Sequence, residues 1–403
     1  MNRLCPKAED RKGVLYTLGG ILRSFAGTVL PQLKLGARPR RVLRLLAACG
    51  TPEMGFTLYQ CPHCQGRHGI ARSCGDRHCP RCLAAKSRHW LDQQTRSLLP
   101  TTYYHCVFTL PEDLNALLLA NPVRLYPLLF DAASQSLLQF GRNRLHGDLG
   151  ISAVLHTWGQ QLNFHPHLHC IVTGGALSSD GRSWRSPKQR KFLFPVKALS
   201  ALFRGKFLDG LKTMLESQKS LRLPDVSWDD TQVRQRWLSK LYAQKWVVYA
   251  KRPFGGPEQV LNYLANYTHR VALSNRRIVG VDEQAQKVTF HFRDYRQGGK
   301  VKPLTLTARE FLRRFTMHIL PAGLVRIRHY GILGNNRRHR DIPRVRALLQ
   351  RHQEPAVKLP TPAPREPMLC PHCGQSGLGW VGFIDAKGRT HLNAARPSTI
   401  DSS

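Results

Sequence analysis

Acidic side chains are scarce in this 403-residue chain: 25 Asp plus Glu stand against 61 Lys plus Arg, a formal net charge of +36. That scarcity argues against a water-using two-metal site built from carboxylates. The uncompensated charge calls for a polyanionic partner, nucleic acid foremost. No G-x-x-x-x-G-K-[ST] run occurs, which removes a P-loop nucleotide site and a need for ATP. The amino-terminal residues hold no apolar core followed by a small-residue cleavage site, so no secretory signal is expected. The apolar stretch from Gly13 to Leu33 is interrupted by Arg23 and by glycines, which falls short of a membrane span. The expectation is a soluble, cytoplasmic, nucleoid-associated protein with no membrane partner. No internal repeat is evident, and the length suffices for two or three domains with a substantial core.

Arginines outnumber lysines, 43 to 18, which suits bidentate contacts to phosphates and base edges. The 11 cysteines, in a cytoplasmic chain whose thiols stay reduced, point to metal ligation rather than to disulfides. Cys61, Cys64, Cys79 and Cys82 form two Cys-x-x-Cys knuckles separated by fourteen residues, a spacing that lets four thiolates converge on one structural zinc ion with no position left for substrate. Cys74, His68 and His78 lie within the same loop as possible replacement ligands. Arg67, Arg72, Arg77 and Arg81, followed by Lys86, Arg88 and His89, would be presented to DNA by this module. Cys370 and Cys373, in CPHCG, resemble half a zinc ribbon without an evident second half.

Hydrophobic periodicity places a basic helix over 38–50 with Gly50 as its stop, a strand at YYHCVFTLP ended by Pro111, and helical spacing over 113–145 with a break at Pro122. Strands follow at 151–158 and 167–175, the second closed by a glycine pair. Helical segments near 196–217 and 229–249 read as an insertion, about 195–250. Gly255-Gly256-Pro257 starts a helix through Thr268. Residues 277–294 form a hairpin, and Thr307 with Glu310 forms a capping box. The domain division expected is a basic helical lead (1–55), a zinc-binding DNA-binding module (56–99), a catalytic domain (100–350), and a Pro-rich linker and tail (351–403).

Two further motifs carry chemistry. In HPHLH, His167 and His169 share one face of a strand with Leu168 turned to the core, so two imidazoles can grip one cation; His165 lies on that face but one step too far. In YLANY, Tyr263 and Tyr267 stand one helical turn apart, with His269 and Arg270 beside them. A divalent ion polarising a phosphodiester while a tyrosine attacks phosphorus unites these signals.

The segments SCGDRHCPRC, LHTWGQQLNFHPHLHCIVTGG and YLANYTHRVALSNRRI, in this order and spacing, resemble the two-tyrosine HUH transposases of rolling-circle insertion sequences, the insertion-sequence family numbered ninety-one. The resemblance runs from the cysteine cluster through RIRHYGILGNNRR. It implies an α+β fold with an HUH endonuclease core, an antiparallel sheet flanked by helices, preceded by a small zinc-binding module. It implies His167 and His169 as the metal-binding pair, Tyr263 and Tyr267 as nucleophiles, Mg²⁺ or Mn²⁺ at the histidines, Zn²⁺ at the cysteines, and single-stranded DNA at transposon ends as substrate. A third ligand to the catalytic ion is sought among His156, Gln160, Gln161 and Gln259. Arg77, Arg81, Arg88, Arg270, Arg276, Arg277, Arg337 and Arg338 are the expected DNA contacts. The rivals are a rolling-circle replication initiator or relaxase using the same nicking chemistry, a metal-dependent amidohydrolase whose barrel also opens on a His-x-His strand, and a catalytically inert zinc DNA-binding protein.

Overall fold

The computed structural model describes residues 16–83, 97–187, 193–217, 221–223, 228, 230–250, 271–351 and 367–393. Its strands, in chain order, are β1 (Phe56–Gln60), β2 (Arg67–Ala71), β3 (Tyr103–Thr109), β4 (Gly147–Trp158), β5 (Phe164–Ser178), β6 (Trp184–Arg185), β7 (Val247–Ala250), β8 (Ile278–Asp282), β9 (Lys287–Asp294), β10 (Lys300–Thr307), β11 (Ile327–Gly331), β12 (Gly379–Ile384) and β13 (Thr390–Leu392). Two compact units emerge: Ser87–Ala272 with Arg314–Pro360, and Met1–Lys86 with Leu273–Arg313 and Thr361–Ser403. The expected contiguous order of lead, module, catalytic domain and tail is therefore redrawn. The hairpin and the tail join the amino-terminal part, because β12 pairs antiparallel with β1 and Asn275 accepts a hydrogen bond from the Leu18 amide at 3.1 Å. Such pairing across hundreds of residues leaves no local sequence signal. Among the described residues, no helix is long and apolar enough to cross a membrane.

The first of these units is built on an antiparallel sheet of order β11-β4-β5-β3-β7, with β6 added to β5. Its two faces follow from the period-2 alternation of strands. Leu168, Cys170 and Val172 of β5, with Ile151, Ala153 and Leu155 of β4 and Cys106 and Phe108 of β3, enter the main core. The helix Pro122–Leu145 covers this face with Leu125, Leu129, Phe130, Ala133 and Leu137, all buried. Pro122 begins that helix as the sequence predicts, since a proline at the first turn loses no hydrogen bond. The helix Val196–Glu216 buries Leu199, Phe203, Phe207, Leu208 and Leu211. Phe203 meets Phe108 edge-on at 5.0 Å and Trp246 at 5.4 Å. Each such ring contributes roughly 2–3 kcal/mol of burial, so the segment expected as an insertion packs into the core. The next helix stops at Ala243, and Val247–Ala250, read as its continuation, is the edge strand β7. Its Val-Val-Tyr composition suits a pleated surface better than a helix.

The opposite face holds His167, His169, Ile171 and Thr173 of β5. Toward one end it is covered by a second core of Tyr103, Ile171, Leu177, Trp184, Ile332, Ile342, Val345 and Leu349. Gly174 and Gly175 do not close β5; they lie inside it. A Cβ at Gly174 would sit 2.7 Å from the Thr102 carbonyl oxygen, and one at Gly175 2.5 Å from the Trp184 ring, so the pair admits close packing instead of a turn. With both faces covered, β5 runs for 15 residues, longer than expected.

In the other unit, the sheet order is β13-β12-β1-β2, beside a meander β10-β9-β8. The helix Ala37–Ala48 buries Val42, Leu43 and Leu46 and leaves Arg40, Arg41 and Arg44 exposed. Gly50 follows it at φ 74, the left-handed conformation that favours glycine after a helix. Thr307 caps the helix Ala308–Thr316 by accepting from the Glu310 amide at 3.2 Å, half of the expected capping box.

Candidate metal centres

On the face of the large sheet opposite the main core, register brings three histidines together. His156 of β4 lies directly across from His167 of β5, and His169 faces Val154 on one side and Val107 on the other. One potential ligand nitrogen from each of His156, His167 and His169 lies within 4.8 Å of the others. His167 Nδ1 lies 2.6 Å from the His165 carbonyl oxygen; a carbonyl only accepts, so the proton sits on Nδ1 and Nε2 presents a lone pair. That Nε2 faces His169 Nε2 at 3.1 Å, close to the edge of a coordination octahedron with bonds of about 2.1 Å. Desolvation pushes the His167 pKa down to about 4, against the pull of the His165 carbonyl, which keeps the ring neutral and able to ligate. The donor chemistry therefore fits a divalent ion. His156 stacks on Trp158 at 4.7 Å, which fixes its ring.

His169 is held from behind by a residue that sequence reading missed. His105 of β3 places Nε2 2.9 Å from His169 Nδ1, its ring parallel to that of His169 at 5.1 Å. A histidine ligating through Nε2 carries its proton on Nδ1, and His105 Nε2 stands where that proton must be accepted. The available signal was a lone polar side chain in the otherwise apolar run YYHCVFT, since buried polar groups are almost always partnered. Of the other candidate ligands, His165 stays outside the three-histidine cluster, as its position on the strand implies. Gln161 is exposed, and its backbone carbonyl accepts from Arg314 at 3.0 Å. Gln259, Tyr263, Tyr267, Arg88 and Arg270 lie outside the described residues.

The cysteines sort differently from the sequence expectation. Cys61 and Cys64 do not share a site with Cys79 and Cys82. Cys49, Cys74, Cys79 and Cys82 form one group, and Cys61, Cys64, Cys370 and Cys373 another. In the first, Cys49 and Cys74 each contact Cys82 or its neighbour, with Sγ separations of 3.6 Å to Cys82 and 3.5 Å between Cys79 and Cys49. A zinc tetrahedron with bonds of about 2.3 Å has edges near 3.8 Å, so both sets of spacings suit one ion. The linear order misleads because β1 and β2 form a hairpin that carries Cys61 and Cys64 away at its tip, while Cys49 and Cys74 close at its base. Cys74, offered as an alternative ligand, is thus a member of a cluster. His68 lies beside the other group, its Nε2 3.4 Å from Cys370 Sγ, and is not one of its four.

The arginines also divide. Arg81 and Arg276 are exposed and Arg77 half-buried. Arg277 donates to the His291 carbonyl at 2.7 Å and lies over the Phe290 ring. Arg337, among the expected DNA contacts, is half-buried and pairs with Asp148 at 2.6 Å and Asp341 at 2.7 Å. Asp341 is 1% exposed, and a buried carboxylate needs a partner cation. Arg338 is half-buried beside Ser152 and His329.

Two family models match the chain. Residues 150–340 match a family model described as "Putative transposase", and residues 21–110 match one described as "Transposase zinc-binding domain". The chain is 42% identical over 370 residues to "Putative transposase y4qJ" of Sinorhizobium fredii (strain NBRC 101917 / NGR234), covering 87% of this chain and 91% of that one. The chain belongs to the IS91-family transposases. The transposase is also 27% identical over 327 residues to "Transposase for insertion sequence element IS801" of Pseudomonas savastanoi pv. phaseolicola, spanning 79% of this chain and 74% of the relative. A solved structure of the conjugative relaxase TrwC in complex with mutant oriT DNA aligns over 40% of the transposase and 71% of its own chain, at 14% identity and a TM-score of 0.23, a likeness too slight to carry an argument. The α+β fold of the transposase, with its antiparallel sheet flanked by helices and a cysteine-rich zinc-binding part, agrees with the expected class. The antiparallel sheet leaves no place for the amidohydrolase barrel.

Proposed function

We propose that the transposase nicks one DNA strand at transposon ends and transfers it through a 5′-phosphotyrosine, with Tyr263 and Tyr267 as nucleophiles and Mg²⁺ or Mn²⁺ held by His156, His167 and His169. The observation that carries this reading is the convergence of three imidazoles on adjacent strands, two of them with their Nδ1 atoms committed to other partners. An ion held by these histidines would supply Lewis-acid polarisation of the phosphate. His167 and His169 would hold the ion through Nε2, and the His165 carbonyl and His105 keep those two rings in place. A tyrosine oxygen attacks phosphorus, its proton leaves to solvent or base, and the bond to the 3′ oxygen breaks, that oxygen taking up a proton from solvent to give a free 3′ hydroxyl. The phosphotyrosine keeps the energy of the broken ester for rejoining, so no nucleotide is consumed. Nitrogen donors bias the site toward Mn²⁺, because Mg²⁺ prefers oxygen ligands. The basic surface, with Arg81 and Arg276 in the open, supports a single-stranded DNA substrate.

The test is to incubate full-length protein with labelled single-stranded transposon-end DNA and Mn²⁺ or Mg²⁺, and to look for a denaturant-resistant protein–DNA adduct. Tyr263→Phe and Tyr267→Phe should each block complete transposition in cells, with at least one single variant still forming the adduct. The double variant should bind DNA and form none; an adduct in the double variant refutes the tyrosine assignment.

A further inference from the structure

The carboxy-terminal knuckle that lacked a second half in the sequence has one in the fold. Cys61 Sγ lies 3.6 Å from Cys373 Sγ, and Cys64 Sγ 3.6 Å from Cys370 Sγ. All four sulfurs fall within 4.8 Å of one another. Two equal cross-distances near the edge of a thiolate tetrahedron fit one shared ion and exceed the bonded sulfur separation of about 2.05 Å by far.

The two knuckles are duplicates in sequence and in backbone. Both read Cys-Pro-His-Cys, at 61–64 and 370–373. In each, the first cysteine's amide donates to the carbonyl five residues on: Cys61 to Gly66 at 3.0 Å, Cys370 to Gln375 at 2.8 Å. In each, the residue four places after the first cysteine is left-handed, Gln65 at φ 56 and Gly374 at φ 72. That turn folds the chain back so both sulfurs of a knuckle point the same way. The sheet supplies the alignment: β1 leads into the first knuckle, β12 follows the second, and β1 and β12 are hydrogen-bonded neighbours. Cys61, Cys370 and Leu378 are buried together with Tyr59 packed on them. A Cβ on Gly66 would come within 3.0 Å of His372 and 3.3 Å of Cys64 Sγ, so a side chain here would make the facing knuckles give by a few tenths of an ångström.

We infer that Cys61, Cys64, Cys370 and Cys373 bind a second zinc ion, separate from that of Cys49, Cys74, Cys79 and Cys82, and that this zinc ribbon ties the chain's carboxy-terminal segment to its cysteine-rich amino-terminal part. Four thiols lose their protons to the medium as the ion binds, and no oxidant takes part. The matched zinc-binding family model ends at residue 110, so half of this site lies outside it. Four closed ligands make the ion structural. Its binding energy becomes folding energy for a site whose halves are 306 residues apart from Cys64 to Cys370.

The experiment replaces zinc by Co²⁺ in the full-length protein. Thiolate-to-cobalt charge-transfer absorption arises only at cysteine sites, so the histidine centre does not contribute. The wild type should reach saturation at two thiolate-bound equivalents per chain, and Cys370→Ser with Cys373→Ser should halve the absorption to one equivalent. A double variant with undiminished absorption overturns the inference. So does a wild type that saturates at one equivalent, or one whose mass shows disulfides at these cysteines in place of metal. Wild-type stoichiometry needs no variant, so a misfolded mutant cannot obscure the result.

Discussion

Replacing His105 by Phe removes the partner behind a proposed metal ligand while keeping a ring of similar size in the same buried slot. His105 is 2% exposed and His169 8% exposed, so water has little access to replace the 2.9 Å bond between them. Leaving the His169 Nδ1 proton without this acceptor costs about 1–3 kcal/mol. Because that proton must be on Nδ1 when Nε2 ligates, the cost falls on the metal-bound form, and an outer partner of this kind is worth about 10–100-fold in metal affinity. The Mn²⁺ Kd of the Phe variant should therefore rise about 10–100-fold, or roughly 1.4–2.7 kcal/mol. Free Mn²⁺ can be followed by its paramagnetic resonance signal during titration of zinc-loaded protein, with thermal unfolding in chelator as the control. His105→Gln, which retains an acceptor on a similar reach, should recover part of the affinity. A Phe variant that unfolds at lower temperature yet binds Mn²⁺ within about twofold of wild type would refute the positioning role and leave His105 a packing residue.

Single-strand binding should weaken steeply with salt, with log K falling by about 0.7 per unit of log salt for each phosphate neutralised. Arg276→Ala should flatten that slope by one such step and Arg337→Ala should not, because Arg337 is engaged by Asp148 and Asp341; a flat titration in the wild type contradicts the electrostatic reading. Burial alone would raise the Asp148 carboxyl, but its bonds to Arg337 and Arg142 hold it below its ordinary value. A depressed folded-state pKa adds stability above the unfolded value of about 3.9 that is lost as pH falls through the folded one. Asp148→Asn should thus unfold more easily than wild type at pH 7 in a denaturant titration and converge with it as the pH falls through the depressed folded-state value; a gap that stays constant down to acid pH counts against the ion pair.

Much of the histidine centre was legible because it is local. A His-x-His pair in an apolar run states its own geometry: side chains two apart on a strand share a face, and Leu168 between them is buried in the main core. The start at Pro122, the stop at Gly50 and the cap at Thr307 were legible for the same reason, each being a preference of the backbone within one turn. His156 could be nominated from its neighbouring strand, but bringing it beside the pair required the register that sets it opposite His167.

What the sequence determined by itself was composition and short-range pattern: the basic charge that demands a polyanion, the metal-ligating residue types, and the period of each strand and helix. The tertiary structure alone decided which of those residues meet. Cys61 and Cys64 were assigned to Cys79 and Cys82 because those knuckles are adjacent in the chain, whereas the fold pairs them with Cys370 and Cys373. His105 joined His169 only because β3 lies beside β5, and Arg337 was engaged by Asp148 and Asp341. The physical reason is common to all three. Strand pairing and ion pairing are energies between segments, and the entropy of closing a long loop rises only as the logarithm of its length. Distance along the chain therefore gives little warning of which partners the folded state will join.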